Sequence, residues 1–296
     1  MKFNCEKEKL LIGLNSVSRT SVGRTTTPIL EGILLNVKKN SVILTTNDLD
    51  IGMEYTLNGI ETIEEGKVVI DCRMFGDIIR KLPNEQITFY VNDKNLLVIE
   101  CEGSIYKLAT MNADEFPTLP NIDVEKNITI SQGALKEMIK KTIFAVSVEE
   151  NRPIFTGCLI EVVNEELNVV AVDGFRLALR KARMASGVNS FSAIVPGKYL
   201  NEIVKNLQDI DEVIEIGTSK NQALFELRDC KIVTRLLEGD FLNYNSVIPN
   251  EKKTRIKVSK QALQSAIERA AIFSISASEK EKKYPIKIFV SLGSAI

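Results

Sequence analysis

The sequence predicts an α+β fold made of repeated units, each with two helices packed on antiparallel sheets. Three observations carry that prediction. Apolar stripes at helical spacing recur at one fixed step along the chain. Short β-branched runs flank the stripes, punctuated by Asp-Gly and Glu-Gly turns. Within each unit, two helices with strands on both sides make an α+β arrangement.

The first stripe is Leu10, Leu11, Leu14 and Val17, and its counterpart is Leu135, Met138, Ile139, Ile143 and Val146. Leu10 to Leu135 is a step of 125 residues, and so is Leu14 to Ile139. The step holds for 28–35 against 153–160, for Asp48 against Asp173, and for 69–71 against 194–196. A second short helix follows in each copy, with Phe75, Ile78, Ile79 and Leu82 matching Leu200, Ile203, Val204 and Leu207. Phe116 matches Phe241, and each copy closes on a hairpin, around Glu102-Gly103 and around Arg228-Asp229. One spacing held over this many landmarks marks an internal duplication.

The most distinctive hairpin covers 169–180. Val169, Val170 and Val172 are β-branched, and Asp173-Gly174 supplies a turn in which glycine takes the positive φ at no steric cost. Beyond it, Phe175, Leu177 and Leu179 alternate with Arg176, Ala178 and Arg180, the period of a half-buried strand.

A third copy begins after about residue 253: Leu263, Ile267 and Ala271 form a helical stripe, and 284–290 resembles the strands at 28 and 153. The expected division is 1–120, 128–250 and a partial, truncated unit at 254–296, with proline-bearing connectors at 112–127 and 238–253.

Composition narrows the function. The chain has 296 residues, 44% apolar and 26% charged, with a net charge of −1. Any basic surface must therefore be local and balanced elsewhere. Without a single histidine, the commonest general base and metal ligand are absent. The five cysteines show no CxxC spacing, which points to reduced thiols of a cytoplasmic protein; no metal and no cofactor is expected. No apolar run is long enough to span a membrane, and the first residues carry no signal-peptide core.

Charge recurs inside the repeat. Arg73 and Arg80 lie opposite the apolar face of the second helix, and 125 residues on stand Lys198 and Lys205. Lys136 and Lys140 add an i, i+4 pair, and Arg24 sits in a polar loop that lacks a phosphate-cradling motif. Such charges suit a phosphate backbone, read electrostatically and without regard to sequence; a solvated helix face is the plain alternative.

The hairpin 173–177, the duplicated two-helix unit and the segment 238–244 together resemble the bacterial sliding clamp, the β subunit of DNA polymerase III. The resemblance implies a DNA clamp fold: three similar domains per chain, and a homodimer closed head-to-tail around double-stranded DNA. It implies a non-catalytic processivity factor of DNA replication. The polymerase III catalytic subunit and the clamp loader would dock short hydrophobic peptide motifs on it. The matching peptide-site positions are Phe155, Val172, Gly174, Phe175, Arg176, Leu177, Leu242 and Val247, with Phe175 and Leu177 as apolar wall. The DNA-facing positions would be Arg24, Arg73, Arg80, Lys136, Lys140, Lys198 and Lys205. The ring joint maps to Met74, Ile78, Tyr106 and Leu108 on one side and to Ile272 and Phe273 on the other. Two other readings stand beside it: a monomeric clamp fragment that binds peptides without closing a ring, and a carboxylate enzyme using Asp48, Asp50 and Asp173. The turn role of Asp48 and Asp173 explains both without chemistry.

Overall fold

The computed structural model of the protein describes residues 1–21, 25–149, 151–184, 190–249, 251, 254–276, 286–291 and 294–295. The chain divides into two compact units, Met1–Leu242 and Asn243–Ile296.

The first unit opens on strand β1 (Lys2–Glu6), where Phe3 and Cys5 are buried between exposed Lys2 and Glu6. Helix α1 (Lys7–Val17) buries Leu10, Leu14 and Val17. Strands β2 (Gly32–Lys38), β3 (Ser41–Asn47), β4 (Ile51–Asn58), β5 (Glu61–Glu64) and β6 (Gly66–Asp71) follow. Helix α2 (Cys72–Lys81) starts on Asp71, whose carboxylate accepts the Met74 amide at 2.6 Å, a side-chain N-cap. Strands β7 (Gln86–Val91), β8 (Leu96–Cys101) and β9 (Ser104–Met111) complete the first copy.

The second copy repeats the order: β10 (Lys126–Ser131), α3 (Gln132–Lys140), β11 (Gly157–Val163), β12 (Glu166–Val172), β13 (Leu177–Arg183), β14 (Phe191–Pro196), α4 (Gly197–Asn206), β15 (Val213–Thr218), β16 (Gln222–Glu226) and β17 (Cys230–Arg235). Sheet order repeats as well. The run β4-β3-β2-β6 answers to β13-β12-β11-β14, and β9-β8-β7-β1 to β17-β16-β15-β10. The 125-residue step is thus a repeat of topology, and the positions that answer to β5 lie outside the described residues.

The copies join edge to edge. Strand β17 pairs antiparallel with β4, from Cys230 opposite Tyr55 to Thr234 opposite Ile51. The ladder is extended by the Thr56 amide to the Asp229 carbonyl at 2.8 Å and the Arg235 amide to the Asp50 carbonyl at 2.9 Å. Met53 and Ile232, opposite each other in this ladder, are fully buried. This continuous sheet makes one unit of two copies. Helices follow the same line: α1 packs beside α2 and α3 beside α4, while Asn206 at the end of α4 donates to the Ser16 carbonyl of α1 at 3.4 Å. The four form a row in the order α2, α1, α4, α3. Inside copy one, Phe89 stacks on Phe3 at 4.7 Å and meets Phe75 edge-on at 6.2 Å.

Three sequence expectations need correction. Each copy begins with a strand, β1 or β10, where the sequence reading began with the helix. The stripe through Ile143 and Val146 outruns its helix: α3 ends at Lys140, and a 3-10 turn, Ile143–Ala145, carries the apolar pattern onward. In the second unit α5 (Lys260–Ser276) does contain Leu263, Ile267 and Ala271. The strand expected at 284–290 is not formed there. Residues 284 and 285 lie outside the described residues, 286–289 carry no strand, and pairing starts only at β18 (Val290–Ser291) against β19 (Ser294–Ala295). A run of strand-forming residues becomes a strand only with a ladder partner, and β19 offers two residues.

Candidate partner-binding turn, basic helices and open edge

The turn between β12 and β13 is closed by Val172 opposite Leu177 and by the Asp173 amide donating to the Arg176 carbonyl at 3.3 Å. Asp173 organises it. Its Oδ1 accepts the amides of Phe175 at 3.0 Å and Arg176 at 3.1 Å, and its Oδ2 accepts Arg176 Nε at 2.8 Å. These donors, the Phe175 amide foremost, hold the carboxyl below its ordinary 3.8. Gly174 has φ +90°, and a Cβ there would meet nothing within 4 Å, so the backbone and not crowding selects glycine. The equivalent turn of copy one has the same design. Asp48 Oδ1 accepts the amides of Asp50 at 2.9 Å and Ile51 at 2.6 Å, and Leu49 carries the positive φ of +76°.

Phe175 departs from its expected place in the strand. It stands in the turn, before β13 begins at Leu177, with 90% of its surface exposed. Four residues, 173–176, lie between the strands, and Phe175 is one of them. Val172 is buried, Leu177 and Phe155 are half-buried, and Leu242 is exposed at the end of the first unit. Val247 is exposed in the second unit. Phe155 meets Phe241 edge-on at 6.1 Å, and the Arg152 guanidinium lies 6.0 Å from the Phe155 ring. The residue that the sequence reading missed is Phe144, whose ring lies 5.5 Å from the Arg176 guanidinium. Its only signal was an aromatic just beyond the α3 stripe.

The basic positions fall on the helix row. Arg73 and Arg80 are exposed on α2, Lys198 and Lys205 on α4, and Lys140 on α3. Several are already engaged. Arg80 pairs with Asp77 at 3.2 Å, Lys205 with Glu202 at 2.6 Å, and Lys198 lies over the Tyr199 ring at 4.4 Å. Lys136 is held tightest: its side chain is 15% exposed and bonds Asp209 at 2.9 Å, an acceptor 73 residues away in sequence. That bond keeps the Asp209 carboxyl below its usual range. Arg24 lies outside the described residues.

Met74 and Ile78 of α2 and Tyr106 of β9 line one cleft with Arg73, Asp77 and Lys81, while Leu108 is buried in the core. Strand β9 pairs with β8 over Ser104–Ala109 and with β6 only at Thr110 and Met111, so 104–108 keep one open edge among the described residues. Ile272 is exposed on α5; the Phe273 side chain lies outside the described residues.

The five thiols are buried, and burial pushes Cys5, Cys72 and Cys230 up to about 11 and Cys158 to about 12. They stay protonated at neutral pH. No described helix is long and apolar enough to cross a membrane.

A duplicated α+β unit, joined edge to edge with its helices in one row, defines the class: a clamp-type protein. Comparison with known proteins makes the class specific. Residues 1–120 match the family described as DNA polymerase III beta subunit, N-terminal domain, and 129–243 match its central domain. A beta sliding clamp of Bacillus subtilis is 36% identical over 282 residues, spanning 93% of this chain and 75% of the relative. One from Halalkalibacterium halodurans is 33% identical, with the same two shares. The crystal structure of the Bacillus subtilis sliding clamp superposes with a TM-score of 0.89 at 33% identity, over 97% of this chain and 79% of that one. The chain belongs to the bacterial β sliding clamp family, the β subunit of DNA polymerase III.

Proposed function

We propose that the protein is a replication processivity factor that encircles double-stranded DNA and tethers the polymerase III catalytic subunit, without catalysis of its own. The observation that carries this reading is the row of four helices, α2, α1, α4 and α3, across the two joined copies. Basic residues stand at equivalent exposed positions on α2 and α4. A row of cations on a rigid scaffold contacts phosphates without reading bases, as sliding requires.

The remaining parts follow from the same reading. Arg73, Arg80, Lys140, Lys198 and Lys205 face the DNA, with Lys136 and Arg24 as further contacts. The Asp173–Leu177 turn, with Phe155, Val172 and Leu242 of the first unit, takes short hydrophobic peptides from the polymerase and the clamp loader, and Val247 of the second unit is a peptide-site position by family resemblance. The open edge of β9, with Met74, Ile78, Tyr106 and Leu108, is the ring joint of a homodimer, with Ile272 and Phe273 on the other side. The domains follow 1–120, 128–250 and 254–296, and the protein works in the cytoplasm.

Primer extension by the cognate polymerase and clamp loader tests the proposal. Addition of the protein lengthens the product made per binding event. Product length unchanged by the protein refutes it.

A further inference from the structure

We infer that Phe144 is a positioning residue for Arg176, fixing its guanidinium as a fork for a neutral oxygen acceptor of the docked peptide, a backbone carbonyl or side-chain amide. The inference rests on the peptide-docking reading of the Asp173 turn.

Phe144 is oddly placed for a core residue. It belongs to the 3-10 turn Ile143–Ala145, between half-buried Ile143 and fully buried Ala145, yet it is 57% exposed. Its base is firmly held. The Ala145 amide donates to the Thr142 carbonyl at 2.9 Å, and buried Thr142 Oγ1 donates to the Met138 carbonyl of α3 at 2.9 Å. The ring is thus a fixed platform presented to the surface, and the group over it is the Arg176 guanidinium at 5.5 Å.

Arg176 is held from two directions. Asp173 takes its Nε at 2.8 Å, and Phe144 supports the guanidinium face. Nε is one of five N–H donors on the group. The four on the terminal nitrogens meet no acceptor among the described residues, in a side chain that is more than half exposed. A guanidinium immobilised before binding loses less entropy when the ligand arrives. The charge of the Asp173 carboxylate offsets that of Arg176, so the pair attracts a further anion weakly. The geometry therefore favours a neutral oxygen over a carboxylate.

A double-mutant cycle on the full chain tests this, with a fluorescein-labelled synthetic hexapeptide bearing two leucines and a phenylalanine as the probe. Phe144→Leu keeps an apolar side chain but removes the π face. It should weaken probe binding by about two- to five-fold, the size of an exposed cation–π contact. The same change in an Arg176→Ala background should cost nothing further, and Phe144→Tyr should retain native affinity. Affinity should change little with salt, as expected for a neutral acceptor. Equal loss from Phe144→Leu in both backgrounds, or no loss in either, overturns the positioning role. Steep salt dependence overturns the neutral acceptor. If Phe175→Ala and Arg176→Ala both leave probe binding unchanged, the docking reading itself fails. Thermal melts of every variant separate these outcomes from misfolding.

Discussion

Tyr199 and Met74 occupy equivalent positions on α4 and α2, 125 residues apart, yet Tyr199 is 5% exposed and Met74 is 55% exposed. The difference lies in what each copy's edge meets. Beside Tyr199, β17 is paired to β4, and the phenol is pushed well above its usual range by burial, then by Asp48 and Asp50. Beside Met74, the equivalent strand β9 keeps its edge open over 104–108. Ile232, opposite Phe225 in its hairpin, is fully buried at the closed joint, while Tyr106, opposite Ile99 in the matching hairpin, is 40% exposed. The Met74 face is the copy-one counterpart of a joint that the chain already makes once.

That equivalence predicts self-association through Met74 and Tyr106. Met74→Asp combined with Tyr106→Asp should abolish it, because two carboxylates would be buried without partners. Sedimentation velocity reads the outcome. An identical distribution for native and variant protein contradicts the assignment.

The closed joint predicts a stability effect. Met53 is fully buried opposite Ile232, so Met53→Ala should cost about 2–5 kcal/mol as a core truncation. Denaturant unfolding measures it. A cost below about 1 kcal/mol, the range of surface positions, would show that the joint contributes little.

For the helix row, Arg73→Glu with Lys198→Glu should weaken DNA association. It should also flatten the slope of log affinity against log salt by about two, since each lost phosphate contact removes roughly one. Fluorescence anisotropy across a salt series checks this on duplexes of unrelated sequence. An unchanged slope removes these residues from the DNA face.

The Asp173 turn predicts an acid-sensitive difference. Its carboxyl is held below 3.8 in the folded chain, so the stability it lends is complete above about pH 5 and is lost as pH falls through the lowered folded value. Native protein should therefore melt above Asp173→Asn at neutral pH, and the gap should close on acidification. A gap that persists at low pH assigns the effect to the amide substitution instead.

Much of this was legible in the sequence because the duplication repeats every signal. The helix stripes, the Asp48 and Asp173 turns and the paired basic positions each confirm one another across the step of 125. Strands β1 and β10 escaped notice because their alternation, Phe3 with Cys5 and Ile128 with Ile130, spans only five or six residues beside a stronger helical pattern. The strand reading of Phe175 fails because alternation does not reveal where a turn ends, and this one runs over 173–176. The Lys136–Asp209 bond and the Phe144 platform join residues far apart in sequence, and local spacing carries no trace of either.

The central claim is that the protein is held on DNA by encirclement. Retention after loading with clamp loader and ATP, compared on nicked circular DNA and on the same DNA linearised, tests it most directly. The protein should stay on the circle and run off the linear ends. Equal retention on both forms would contradict it.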